Sequence, residues 1–386
     1  MTTPHWLSGG FRPFFMLGAL AMAGSVLAWI PVYLGELEIP TALSTRDWHV
    51  HTMLFGGVMA IIAGFALTAV SNWTGRPPVA GRELLALVGL WLAGRVAVST
   101  SALIGADAAM VVDLMFPLAL VAVFAREVAA AGNYRNLRVV AVVAGLGLAD
   151  LAFHVEARRF GGADYSLRAA VSLVLVLVML IGGRIIPAFT RNWLVARKVA
   201  ELPAAFSRLD TVSMAACALG LIAWVAFPDA RATAAVLGLG GMFAAVRLYR
   251  WRGLATRSEP LLFMLHLGFA TIPLGFLAVA VSILAPGSLD PAGAVHIWTV
   301  GTFGAMTLGV MTRASRGHSG RALAAGRLEV VMFALVLLGA AARVTAPYAD
   351  GWMTHGLACA GLAWALAYLL FAVGYGRMLL LPSSLP

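Results

Sequence analysis

The feature that most constrains this chain is the rhythm of its apolar runs. From "GFRPFFMLGALAMAGSVLAWIPVYL" onward, apolar stretches alternate with short breaks such as "NWTGRPP", "AGNYR", "FPDAR" and "LAPGSLDPAG". Each run is roughly 17 to 25 residues long, enough at about 1.5 Å per residue to cross about 30 Å of hydrocarbon. With 61% hydrophobic and 11% charged residues, the chain lies far from soluble domains, about a quarter of whose residues are charged. It therefore reads as an integral membrane protein. Within lipid, helices satisfy their own backbone hydrogen bonds, so the predicted class is all-α.

Twelve transmembrane helices are predicted, near residues 13–34, 50–70, 84–104, 107–125, 137–154, 166–187, 211–227, 231–248, 261–285, 293–311, 328–346 and 352–378, each boundary good to about three residues. The first run is too long for a signal-peptide core and lacks a small-residue cleavage signature, so it counts as a membrane helix. Neither a fixed-period repeat nor a linker stands out, and residues 1–386 read as a single transmembrane helical domain.

Loop charges give the orientation. With residues in a span's end turn counted in the adjoining segment, the two termini and the loops after the even-numbered helices hold nineteen Lys and Arg and the alternate loops six, while Arg95 and Arg184 lie deeper within spans. Positive charge accumulates on the cytoplasmic side, which places both termini there. The net charge of +10 is accounted for by this asymmetry and by contact with the anionic lipid bilayer, with no nucleic-acid partner required. Cys217 and Cys359 stand in apolar runs without CxxC or Cys/His spacing, which excludes a disulfide framework and a zinc finger. No CxxCH haem attachment, Fe–S cysteine cluster or nucleotide-binding motif occurs.

Sorted by depth, the eight histidines cluster. In "RDWHVHTMLFGGVMAIIAGF", His49 and His51 open helix 2; His154 closes helix 5, His296 opens helix 10 and His355 opens helix 12, all on the outer side. Imidazole is a ligand for copper, zinc and haem iron, and side chains from helices 2, 5 and 10 could build a site inside a bundle. His49 and His51 point about 200° apart on an ideal helix, so they serve different partners unless the first turn is irregular. Asp150 and His154 are four residues apart on one helix face, the spacing for a carboxylate that fixes an imidazole tautomer. The alternative is a set of interfacial histidines among Trp48 and Trp298. Arg95 and Asp113 flank the turn near Gly105 by similar lengths and reach a similar depth. Such a pair either locks a helix hairpin or lines a polar cavity, and Arg95 could instead anchor a haem propionate.

Five stretches, "GFRPFF", "WHVHTMLFG", "GFALTAVSNWTGR", "GGRIIPAFTRNWL" and "HIWTVGTFGAMTLGVMTRASRGHSGR", together resemble the NnrS family in order and over most of the chain. The resemblance implies a bacterial inner-membrane protein of about twelve helices that contains haem b and copper, is linked to denitrification and acts on nitric oxide in nitrosative-stress resistance. It carries over to His49, His51, His154, His266, His296 and His318. One departure is visible: family members usually read HxHEM where this chain has His51, Thr52 and Met53. If that glutamate matters, Asp47, Asp150 or Glu156 would have to replace it. The expected metal ligands are His49, His51, His154 and His296, with His266, deeper toward the cytoplasm, as a further haem or copper ligand and Arg95 beside them.

The expected chemistry is nitric oxide binding at a buried metal and its reduction to nitrous oxide as an oxidoreductase. Coupling two molecules needs two electrons and two protons, and without an internal electron route these would come from quinol or a redox protein. Two alternatives stay open: a non-enzymatic protein that binds nitric oxide or handles metal, and a secondary transporter, for which twelve helices is a common size.

Overall fold

The computed structural model describes residues 3–382, the side chain of Arg135 excepted. Among these residues the regular structure is entirely helical. A helix stands at each of the twelve expected positions: α1 Phe11–Tyr33, α2 Thr45–Thr74, α3 Gly81–Ser99, α4 Ala106–Ala130, α5 Leu137–Phe160, α6 Asp164–Ala196, α7 Arg208–Ala226, α8 Arg231–Tyr249, α9 Pro260–Leu284, α10 Pro291–His318, α11 Arg327–Thr345 and α12 Met353–Leu380. Eleven are long and apolar enough to cross a membrane. The exception is α3, which carries Arg82, Glu83 and Arg95; the last of these matters below. The chain is a multi-pass membrane protein, with exposed leucines such as Leu118, Leu148 and Leu219 facing outward from the helices, as lipid contact permits.

Local chemistry sets the helix ends. Ser44 caps α2 by accepting the Asp47 N–H at 3.2 Å. Ser207 and Asp210 form a capping box at the start of α7. The turn into α4 passes through Gly105 at φ +92°, a conformation that a side chain would strain.

Two helices are interrupted in the same way. In α2 the α-helix Thr45–His51 gives way to a π-helical segment, Thr52–Val58, before α geometry resumes. In α10 the segment Ile297–Thr302 does likewise, directly after His296. Such π segments are rare and concentrate at functional sites.

The chain divides into two compact units: Met1–Leu173 with Ala314–Arg321 and Tyr368–Pro386, and Val174–Arg313 with Ala322–Ala367. Within the first, α1 packs on α2, α2 and α3 on α4, and α4 on α5. Within the second, α7, α8 and α9 pack in sequence, and the π segment of α10 meets α9 and α11. A buried ion pair marks this second unit: Arg247 lies 3.2 Å from Asp210, which Arg250 also reaches at 2.9 Å.

In the first unit, the approach of α3 to α4 depends on Gly94. A Cβ there would stand 2.5 Å from Asp113 Oδ1 and 3.2 Å from Asp113 Cα, whereas one at Gly89 on the same helix would meet nothing within 4 Å. Gly94→Val should therefore destabilise the protein by about 1–3 kcal/mol, as overpacking does, while Gly89→Ala should leave it unchanged. Thermal unfolding in detergent checks this; equal effects of the two substitutions would contradict the packing.

Candidate metal centre

The centre is assembled from the first turns of α2 outward. His49 and His51 diverge as helical geometry demands. The His49 ring lies against Trp29, with centroids 4.4 Å apart, while His51 is fully buried and packs against Phe55 and Phe153 at 5.2 and 5.5 Å. The π segment starts at the next residue, Thr52, whose hydroxyl donates to the carbonyls of Trp48 and His49 at 2.9 and 3.1 Å. The Trp91 indole N–H reaches into the segment and donates to the Gly56 carbonyl at 3.2 Å.

Facing His51 are two acids and a second imidazole from α4 and α5. His51 Nε2 lies 3.0 Å from Asp113 Oδ2 and 3.0 Å from Asp150 Oδ1. His154 Nε2 lies 3.1 Å from Asp113 Oδ2 and 3.8 Å from Asp150 Oδ1. One ligand atom from each of the four residues falls within 4.8 Å of the other three. A tetrahedral ion with ligand bonds of about 2.0–2.2 Å places neighbouring ligand atoms roughly 3.3–3.6 Å apart. The four His–Asp separations, 3.0 to 3.8 Å, bracket that range. Two neutral imidazoles and two carboxylates form a mixed nitrogen–oxygen donor set suited to a transition-metal ion.

Arg95 supplies the balancing charge. Its guanidinium pairs with Asp113 Oδ1, so one oxygen of Asp113 faces the cation and the other faces the imidazoles. Gly56 makes room for it, since a Cβ there would stand 3.1 Å from an Arg95 guanidinium nitrogen. The depth match between Arg95 and Asp113 about Gly105 is realised as this contact.

A family model described as NnrS protein matches residues 5–383. The chain belongs to the NnrS family. Among the curated proteins, none is detectably similar to it.

Of the histidines singled out in the sequence, His51 and His154 meet in the cluster. His49 is turned to Trp29. His266 and His296 belong to the second unit. There, His266 Nε2 lies 2.8 Å from the Thr190 hydroxyl, and Gly253 crowds the Nδ1 edge of its ring. His296 Nδ1 lies 2.6 Å from the Ala292 carbonyl one turn earlier. His318 packs beside Phe11, with ring centroids 5.5 Å apart. The acids that might stand in at the Thr52 departure separate as well. Asp150 joins the cluster. Asp47 pairs with Arg46 at 3.1 Å, and Glu156 accepts the N–H groups of Tyr165 and Ser166 at 2.8 Å each, closing the first turn of α6. Asp113 is the cluster member whose role sequence reasoning missed, having been assigned only as the partner of Arg95.

Removing Arg95 would strand the buried Asp113 charge. Arg95→Leu should destabilise the protein by about 3–5 kcal/mol, the cost of leaving a buried ion without its partner, whereas Arg95→Leu combined with Asp113→Leu should recover much of that loss. The double-mutant cycle in detergent measures the coupling; additive losses would show that the two side chains act independently.

Proposed function

We propose that this chain is a metalloprotein of the bacterial inner membrane whose His51, Asp113, Asp150 and His154 hold one copper ion, with nitric oxide as its ligand. The observation that carries the reading is the convergence of four ligand atoms from α2, α4 and α5 within 4.8 Å, inside a membrane span. Intramembrane ionisable groups are costly and mark functional sites. Copper(II) heads the affinity order of divalent first-row ions for such donors. Family membership supports nitric oxide, since the family is linked to its metabolism.

The residues divide the work. Asp113, fixed by Arg95, and Asp150 present oxygens from two helices, and the π segment seats His51 between them. Phe55 and Phe153 wall the His51 ring from the apolar side, limiting its movement. A bound copper ion would supply one-electron chemistry, and a small ligand would join it as a fifth ligand beside the four side chains. Reduction of two nitric oxide molecules to nitrous oxide and water would draw two electrons and two protons from a quinol or redox-protein donor. Sustained consumption with a reductant would distinguish that activity from stoichiometric binding. Haem b does not fit the cluster, because two carboxylate oxygens stand 3.0 Å from His51 Nε2, in the space that a haem iron and its ring would need, and no step is assigned to it.

Metal analysis of protein purified from copper-replete cells provides the test. One copper per chain is expected, lost in His51→Ala and Asp150→Asn and retained in His49→Ala, His266→Ala and His296→Ala. Wild-type protein free of transition metal, or copper that survives His51→Ala, would overturn the reading and leave the cluster as a buried ion-pair network.

A further inference from the structure

The cluster has an open approach on one side. A cavity of about 620 Å³ reaches His154, and the residues around it span a gradient of exposure. The His154 side chain is 8% exposed, whereas Asp107 and Arg158, which pair with each other, are 64% and 60% exposed. The walls between are largely small or apolar, including Ala106, Ala109 and Met110. The mouth lies beside the α3–α4 turn and the end of α5, on the face opposite the loops rich in Lys and Arg.

Resting on the metal reading of the cluster, we infer that this cavity is a vestibule admitting small ligating anions from that outer face to the ion beside His154. Three features point to an anion. The mouth carries two guanidiniums, Arg158 and Arg159, against one carboxylate, Asp107. The loaded centre is also cationic: a divalent ion and Arg95 outweigh two carboxylates when both imidazoles are neutral, as ligation requires. Clefts of one sign with apolar walls focus the field and concentrate counter-ions. Size is the third feature, because at about 30 Å³ per water the cavity has room for a polyatomic anion together with its hydration water.

Cobalt(II)-loaded full-length protein in detergent gives a spectroscopic readout independent of turnover. Azide is the anionic probe and pyridine, largely uncharged at neutral pH, the neutral one. Azide should shift the cobalt absorption bands. Arg158→Gln combined with Arg159→Gln should weaken azide about tenfold at low salt and leave pyridine unchanged, with the azide difference shrinking toward 1 M salt. Met110→Trp should slow binding of both probes by narrowing the cavity. The two arginines are exposed, so their replacement should spare the fold, and circular dichroism verifies this. The vestibule is overturned if the cobalt bands are present but insensitive to azide, or if the double substitution leaves azide affinity unchanged. Absent cobalt bands, or bands that persist in His51→Ala, would instead overturn the metal reading on which it rests.

Discussion

Asp113 is fully buried in the first third of a membrane-spanning helix, where a lone carboxylate would carry a desolvation cost of several kcal/mol. The Arg95 guanidinium answers that cost, and the rest of the site follows from how it does so. With Oδ1 committed to Arg95, Oδ2 is the atom left to meet His51 and His154. Gly94 and Gly56 are small because the aspartate and the guanidinium occupy the space their side chains would take. The charge on α3 that makes it the least membrane-like of the helices is thus the charge that permits an acid on α4.

The second unit contains a comparable burial without comparable chemistry. Asp210 is held by Arg247 and Arg250, and Arg247 also lies over the Trp251 ring, its guanidinium carbon 5.2 Å from the centroid. Here the cations outnumber the acid and no imidazole takes part, so the carboxylate is satisfied internally. In the first unit, one guanidinium faces Asp113 alone, and Asp113 and Asp150 each turn an oxygen toward the same two imidazoles. That difference in charge balance, more than burial itself, separates a candidate ligand set from a structural ion pair.

Much of this was legible in the sequence, and the limits have physical causes. The twelve helices follow from run length, because a bilayer imposes one thickness on every span. The Arg95–Asp113 contact follows from their distances to the Gly105 turn, because a tight hairpin equates depth with sequence separation. The divergence of His49 and His51 follows from helical rotation. What sequence could not provide is the rotation of α4 relative to α2 and α5. Depth alone cannot say whether Asp113 meets only its hairpin partner or also two histidines from other helices. Depth was equally unable to sort the histidines, since His49, His51, His154 and His296 all lie at similar levels yet have different neighbours.

The two π segments reveal an order that hydropathy conceals. His51, Gly56, Gly64 and Gly75 of α2 recur at a single offset as His296, Gly301, Gly309 and Gly320 of α10, followed in each case by arginine, Arg76 or Arg321. Gly75 and Gly320 both adopt the left-handed conformation, with φ of +68° and +67°. The shared positions are one histidine, small residues and a basic stop, while the intervening apolar residues have largely diverged, so a search for a fixed-period repeat finds little. What is held in common is a backbone shape: a widened turn after an imidazole, and a 16-residue α-helix with a left-handed glycine just beyond it. Among the described residues, only the α2 copy joins a His/Asp group. Shape and side-chain grouping therefore vary separately in this fold: the same widened turn carries a buried His/Asp group in one copy and none in the other.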